Sequence, residues 1–252
     1  MPTALITGAS SGIGLELARV FARNNYDLVL VARNQRRLDQ IAQELKPARA
    51  QVLAKDLSLP EAPHEVFAAA PKTDVLVNNA GYTVFGKFVE TSLADELNMM
   101  HVNMTALVVL SKLYLGGMVA AGSGKIMNVA STAAFQPGPL MAIYYATKAF
   151  VLSFSEAIAN ELKDTGVTVT ALCPGPTATG FQERGKMEDS GLVKGKKIMD
   201  ARTVAEIGYR GLMGGHTVVI PGFKNLMLAE SVRLMPRAVV TEVVRKMQEK
   251  VH

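Results

Sequence analysis

Short apolar runs alternate with helix-period segments almost without a break from Ala4 to Ile220, which predicts β-α-β units stacked around a parallel sheet. Seven strands are read at Ala4-Leu5-Ile6-Thr7, Leu28-Val29-Leu30-Val31-Ala32, residues 51–54, Val75-Leu76-Val77-Asn78, Lys125-Ile126-Met127-Asn128-Val129, residues 167–172 and Thr217-Val218-Val219-Ile220. The unbroken apolar character of Val75 to Asn78 is that of a strand covered on both faces. Helices are expected at residues 12–25, from an Asn34 cap to Leu45, after the start signal Ser58-Leu59-Pro60, and at residues 143–163. Another opens at Ser92 with Asp95 in a capping-box arrangement and runs to about Leu115; a further one opens at Thr203 with Glu206. No internal repeat or low-complexity linker divides the 252 residues, so residues 1–252 are read as a single α/β domain.

Two segments interrupt the alternation. Residues 181–202 are charged and weakly periodic, and they follow the C-terminal end of the sixth strand, where α/β sheets place ligands; a substrate lid is expected there. Residues 225–252 form a helical tail interrupted at Pro236, with Val239, Val240, Val243, Val244 and Met247 on one face. That stripe is expected to pack on the body of the protein or on a second subunit. Weak membrane-surface contact is the alternative, because Arg233, Arg237, Arg245 and Lys246 are basic.

The totals exclude several function classes. A lone cysteine, Cys173, cannot form an internal bridge and fits a reducing, cytoplasmic setting. The N-terminus lacks the pattern of a signal peptide, and no stretch of eighteen apolar residues marks a membrane span. The net charge of +5 is spread out, without the Lys/Arg runs and interleaved aromatics of a nucleic-acid surface. His64, His101, His216 and His252 have no metal-ligand spacing, so no metal is expected.

The segment Thr7-Gly8-Ala9-Ser10-Ser11-Gly12-Ile13-Gly14 follows a strand and opens a helix, the context of a pyrophosphate cradle. Gly8, Ser10, Ser11, Gly12, Ile13 and Gly14 are its candidate residues, although the spacing Gly-x-x-x-Gly-x-Gly departs from the commoner Gly-x-Gly-x-x-Gly. At the end of the second strand an acid would bind the ribose 2′-hydroxyl of NAD. Ala32 stands there instead, followed by Arg33, whose guanidinium suits a 2′-phosphate; NADP(H) is therefore favoured over NAD(H). Asp56 suits the adenine amino group, Leu57 the ring, and Asn79-Ala80-Gly81 a neighbouring ribose.

Tyr144 and Lys148 lie one helical turn apart, with Ser131 upstream. An ammonium beside a phenol is expected to stabilise the phenolate and bring its pKa toward neutrality. With a dinucleotide cradle in the same chain, the pair points to hydride transfer to or from a carbonyl.

On Thr-Gly-Ala-Ser-Ser-Gly-Ile-Gly, Asn-Asn-Ala-Gly, Ser131, Tyr144-x-x-x-Lys148 and Pro174-Gly175, in that order, residues 3–222 resemble the short-chain dehydrogenase/reductase family. The resemblance implies a Rossmann-like, doubly wound, seven-stranded sheet of order 3-2-1-4-5-6-7 in three α/β/α layers. It maps a catalytic tetrad onto Asn103, Ser131, Tyr144 and Lys148. Tyr144 would be the acid/base, Lys148 would also bind the nicotinamide ribose, and Asn103 would hold a water relaying protons to Lys148. Pro174, Gly175, Thr177 and Thr179 would close over the carboxamide and pyrophosphate. A homodimer through the helices at 92–115 and 143–163, or a homotetramer, is also implied.

Ala133, Phe135, Leu140, Tyr145 and Phe181, with Pro137, Met141 and residues up to Met199, are candidate substrate-lining positions, and their apolar character favours a hydrophobic carbonyl compound. Acyl, steroid-like and small aromatic substrates stay open. Two other classes are open alternatives: a non-catalytic NADP(H)-binding regulator, and a peripheral membrane or scaffold protein built on the tail.

Overall fold

The computed structural model describes residues 1–180 and 198–249. Among these, seven strands form one parallel sheet: β1 (Thr3–Thr7), β2 (Asp27–Ala32), β3 (Ala50–Ala54), β4 (Val75–Asn78), β5 (Gly124–Val129), β6 (Val167–Leu172) and β9 (Val218–Val219). Their order is β3-β2-β1-β4-β5-β6-β9, with β7 (Thr177–Ala178) and β8 (Met199–Asp200) forming a separate two-stranded pair. This is the doubly wound order that the family resemblance implies, the last sheet strand being ninth in chain order.

Successive strand residues point to opposite faces, and both faces are apolar. Ile6, Leu30, Val77 and Met127 pack with α1 (Gly12–Arg23), α2 (Gln35–Glu44) and α7 (Ala201–Met213). Leu5, Val29, Leu76 and Ile126 pack on the other side with α3 (Ala62–Ala69) and α5 (Ala106–Ala120). Helix α6 (Ala142–Glu161) lies against β6. Burying each such Leu, Ile or Val contributes about 1.5–3 kcal/mol, so strands apolar on both faces are stable only with helices on both. In the sheet, Asn78 Nδ2 donates to Ser111 Oγ and Asn128 Oδ1, and Asn128 Nδ2 donates to Ser155 Oγ. This buried polar chain ties α5 and α6 to neighbouring strands.

Local departures from the sequence reading have physical causes. Asp56 Oδ1 accepts from Ser58 N and Oγ, so the Ser58 segment is a turn and α3 begins at Ala62, with Pro63 in its first turn. Asp200, not Thr203, caps α7: its Oδ1 accepts from Thr203 N at 2.8 Å. Ser92 Oγ accepts from Asp95 N and opens α4 (Leu93–Met100). A π-helical turn, His101–Thr105, then joins α4 to α5. The continuous helix Leu93–Ala120 is long and apolar enough to cross a bilayer by length and composition alone. It is nonetheless a layer of this fold: Leu107, Leu110, Tyr114 and Met118 are buried.

The tail folds into α8 (Phe223–Ser231), a 3-10 turn (Val232–Leu234) and α9 (Arg237–Gln248). Pro236 separates the last two, as a missing N–H requires. Val240 and Val244 are buried with Met99, Met141, Tyr144 and Tyr145, so two of the five stripe residues pack fully on the body; Val239 and Val243 remain exposed and Met247 is half-buried.

Candidate active site

The site lies where the strand order reverses, beyond the C-terminal ends of β1, β4, β5 and β6. A cavity of about 790 Å³ opens there, lined by Gly8, Ser10, Ser11, Gly12 and Ile13, by Asn79-Ala80-Gly81, and by Ser131, Tyr144 and Lys148, among others. Pro174, Gly175, Thr177 and Thr179 also face it.

The glycine turn is clamped from below. Gly8 has φ +67°, which glycine adopts without strain. Thr7 Oγ1 accepts from Asn79 N and Ala80 N and donates to Val77 O; Asn79 Nδ2 donates to Thr7 O and Gly8 O. Gly14 lies under the turn rather than in the cavity wall: a Cβ there would collide with the Gly8 carbonyl oxygen and Asn79 Nδ2. Thr7 opens the quoted motif but has no role in the sequence reading; a hydroxyl at the last position of β1 is the signal that could have found it. Thr179 faces Gly12, and Thr177 Oγ1 donates to Gly175 O.

Arg33 and Asp56 sit together beyond the ends of β2 and β3, with Arg33 Nη1 4.0 Å from Asp56 Oδ2. The Arg33 side chain is 64% exposed, and neither Arg33 nor Asp56 is among the residues that line the cavity. Leu57, assigned to the adenine ring, is buried in the core cluster that includes Ala62 and Val66 of α3.

Ser131, Tyr144 and Lys148 converge. The Ser131 hydroxyl is hydrogen-bonded to Tyr144, and Ser131 Oγ is held by Ala133 N at 3.1 Å. Lys148 Nζ donates to Val129 O at 2.7 Å and lies 5.8 Å from the Tyr144 ring centroid. Burial pulls Lys148 down to about 8. Burial also pushes the Tyr144 phenol well above its usual range, with the Ser131 hydrogen bond opposing. The acidic phenol expected from the Tyr-Lys spacing is therefore not what this chain holds by itself; desolvation of both groups outweighs their proximity.

Asn103 is 1% exposed in the π-helical turn, a bulge type frequent at functional sites. Its Nδ2 donates to Tyr82 O and Thr147 Oγ1, and its Oδ1 accepts from Tyr82 N. Thr147 Oγ1 in turn donates to Tyr144 O at 2.7 Å. The Asn103 side chain thus fixes the turn after β4 to the helix that carries Tyr144.

Of the substrate candidates, Ala133, Met141, Tyr145 and Met199 line the cavity. Phe135 does not: it packs toward Leu107, Val151 and Cys173. Leu140 occupies a turn with φ +66° and its carbonyl accepts from Gly86 N; it too is outside the wall. Phe181 and the expected lid up to residue 197 lie outside the described residues. Residues 198–202 close the interval as the β8 strand and the start of α7. Cavity walls the sequence reading missed come from the tail: Phe223, Asn225, Leu228, Ala229 and Met247. Cys173 is buried and its thiol is pushed up to about 12 by burial, which suits a core residue.

The comparisons with known proteins agree with this geometry. The family described as short chain dehydrogenase matches residues 2–189. An uncharacterized oxidoreductase of Staphylococcus epidermidis, SERP2049, is 33% identical over 195 residues, covering 73% of this chain and 84% of its own. A short-chain dehydrogenase from Sphingobium yanoikuyae, solved in complex with NADPH, superposes with a TM-score of 0.84 at 33% identity, covering 93% of this chain and 94% of that one. A bulky-bulky ketone specific alcohol dehydrogenase from Comamonas testosteroni gives 0.80 at 31% identity, covering 93% and 92%. With its glycine turn, its converging Ser131, Tyr144 and Lys148 and these likenesses, the chain belongs to the short-chain dehydrogenase family of oxidoreductases.

Proposed function

We propose that this oxidoreductase binds NADP(H) and interconverts an apolar ketone and its secondary alcohol, with Tyr144 as the proton donor in reduction. The observation that carries the reading is the buried Ser131–Tyr144–Lys148 constellation opening on a largely apolar cavity beside a glycine cradle. The residues fit the cofactor: the cradle is pinched so closely that a Cβ at Gly8 would meet Ala80 Cα at 2.9 Å, and the exposed Arg33 guanidinium has the charge and donors that suit a 2′-phosphate. Ser10, Ser11, Gly12 and Ile13 would hold the pyrophosphate, Arg33 the 2′-phosphate, and Lys148 the nicotinamide ribose. Bound there, the nicotinamide supplies the hydride. The relatives solved with NADPH and named for bulky ketones support both halves of the reading.

Ser131 would hydrogen-bond the substrate oxygen and favour the charge that develops on it. Tyr144, kept neutral by burial, is in the protonation state a donor needs. Once its proton has left, the phenolate is stabilised by the Lys148 ammonium. Lys148 is an ammonium below about 8 and an amine above it, so ketone reduction should fall as pH rises through that region. A pH–rate profile checks this; the apparent pKa belongs to the Tyr144–Lys148 pair. Reduction unchanged up to pH values near a free lysine's, about 10.4, would contradict it.

Arg33→Asp should weaken NADPH binding by about ten- to a hundredfold, the worth of charge-assisted hydrogen bonds, and move preference toward NADH. Fluorescence titration of both coenzymes measures the shift; equal wild-type affinities would remove Arg33 from the reading. The function itself is tested by a panel of ketones and aldehydes with NADPH consumption as readout, in which apolar ketones should be the substrates reduced. We also propose residues 1–252 as a single domain working in the reducing cytoplasm. It self-associates through α4, α5 and α6, where Leu93, Leu97, Val119 and Phe150 are exposed; light scattering should report a dimer or tetramer.

A further inference from the structure

The C-terminal helix α9 stands between two cavities. The 790 Å³ cavity shares Gln136, Leu228 and Met247 with a second cavity of about 70 Å³ beneath the tail, whose other walls include Val232, Met235, Val240 and Val244. Met247 is therefore part of the partition. Its position is held from both sides. Val240 and Val244, seven and three residues earlier on the same helix face, are buried against Met99, Met141, Tyr144 and Tyr145. The next residue, Gln248, is fully buried and donates through Nε2 to Tyr145 Oη at 2.7 Å. This bond joins residues 103 positions apart, and Tyr145 is itself a wall of the larger cavity. The Tyr145 ring meets that of Tyr144 edge to face, with centroids 6.1 Å apart. The tail is thus latched onto the helix that carries the proton donor.

We infer that Met247 limits how long an apolar substituent the substrate cavity admits, and that the Gln248–Tyr145 hydrogen bond holds Met247 in that place; this rests on the ketone reductase reading above. Truncating the methionine joins the two cavities along an apolar path, whereas a larger side chain seals the larger one. The bound group is the hydrocarbon arm of a ketone, because the shared walls offer methyl, methylene and thioether surface with Gln136 as their polar member.

The test uses straight-chain methyl ketones of increasing length with the wild-type protein, Met247→Ala and Met247→Phe. Turnover is followed with NADPH, and binding of the same ketones to the NADP⁺-loaded protein is followed by titration calorimetry. In the wild type, kcat/KM should rise with chain length and then break. Met247→Ala should move the break to longer ketones and raise the long-to-short ratio by about tenfold or more, the worth of a methylene in an apolar pocket. Met247→Phe should move it to shorter ones. Gln248→Leu and Tyr145→Phe should each blunt the break to a similar extent, and the double variant no further, with NADPH affinity unchanged. No break in the wild type, or one that stays in place in both Met247 variants, overturns the inference while ketone turnover keeps the reductase reading intact. If the wild type reduces no ketone, that reading fails instead, and the calorimetric series still decides on Met247: a shifted affinity break supports its role and an unshifted one overturns it.

Discussion

Replacing Tyr144 with phenylalanine is expected to lower ketone reduction by about 10² to 10⁴, the usual contribution of a positioned proton donor, while NADPH affinity stays within about twofold. The side chain is buried and its hydroxyl meets that of Ser131, so the change removes one oxygen and preserves the shape of the ring. The stability cost should be small, about 1 kcal/mol for one lost hydrogen bond. Steady-state kinetics and a coenzyme titration on the same preparation separate the two effects. The neighbouring Tyr145 is the internal control. Its hydroxyl accepts a hydrogen bond from Gln248, and burial pushes it up to about 12. Turnover that survives Tyr144→Phe and disappears in Tyr145→Phe would reassign the donor.

Gly14→Ala is expected to damage both the fold and the cradle. An added methyl would collide with the Gly8 carbonyl oxygen, a backbone atom that cannot rotate aside, and with the Asn79 amide that clamps the turn. Overpacking of this kind costs about 1–3 kcal/mol. At about 2–4 °C per kcal/mol for a chain of this size, the melting temperature should fall by several degrees. Because relief of the clash displaces Gly8 and its neighbours, NADPH affinity should fall by at least about tenfold as well. Thermal unfolding with and without coenzyme checks both effects. An unchanged melting temperature with full affinity would show that the turn tolerates the methyl and that Gly14 does not set its shape.

The parts of this molecule legible in the sequence are those written in local pattern. The strand runs ending at Thr7, Ala32, Asn78, Val129 and Leu172 coincide with strand ends in the structure, because strands covered on both faces leave unbroken apolar stretches. The convergence of Ser131, Tyr144 and Lys148 also followed from spacing and from the family resemblance. What depends on distant contacts was not legible. The π-helical turn around Asn103 has no periodicity signal, and the tail side chains reach the cavity only because α8 and α9 both fold back onto the body. The valine stripe predicted that the tail would pack, but not that Met247 would face a ligand space or that Gln248 would meet Tyr145. The protonation state escaped for another reason. Residue spacing places an ammonium near a phenol, but the extent of burial, which dominates both groups here, is a property of the whole fold.

The most direct measurement is a crystal structure of the protein with NADP⁺ and a bound alcohol. The account predicts the Tyr144 hydroxyl within about 2.6–3.2 Å of the alcohol oxygen, with the carbinol carbon facing the nicotinamide ring. A Tyr144 hydroxyl turned into the packed cluster of Met99, Met141 and Val244, with another group on the alcohol oxygen, would contradict it.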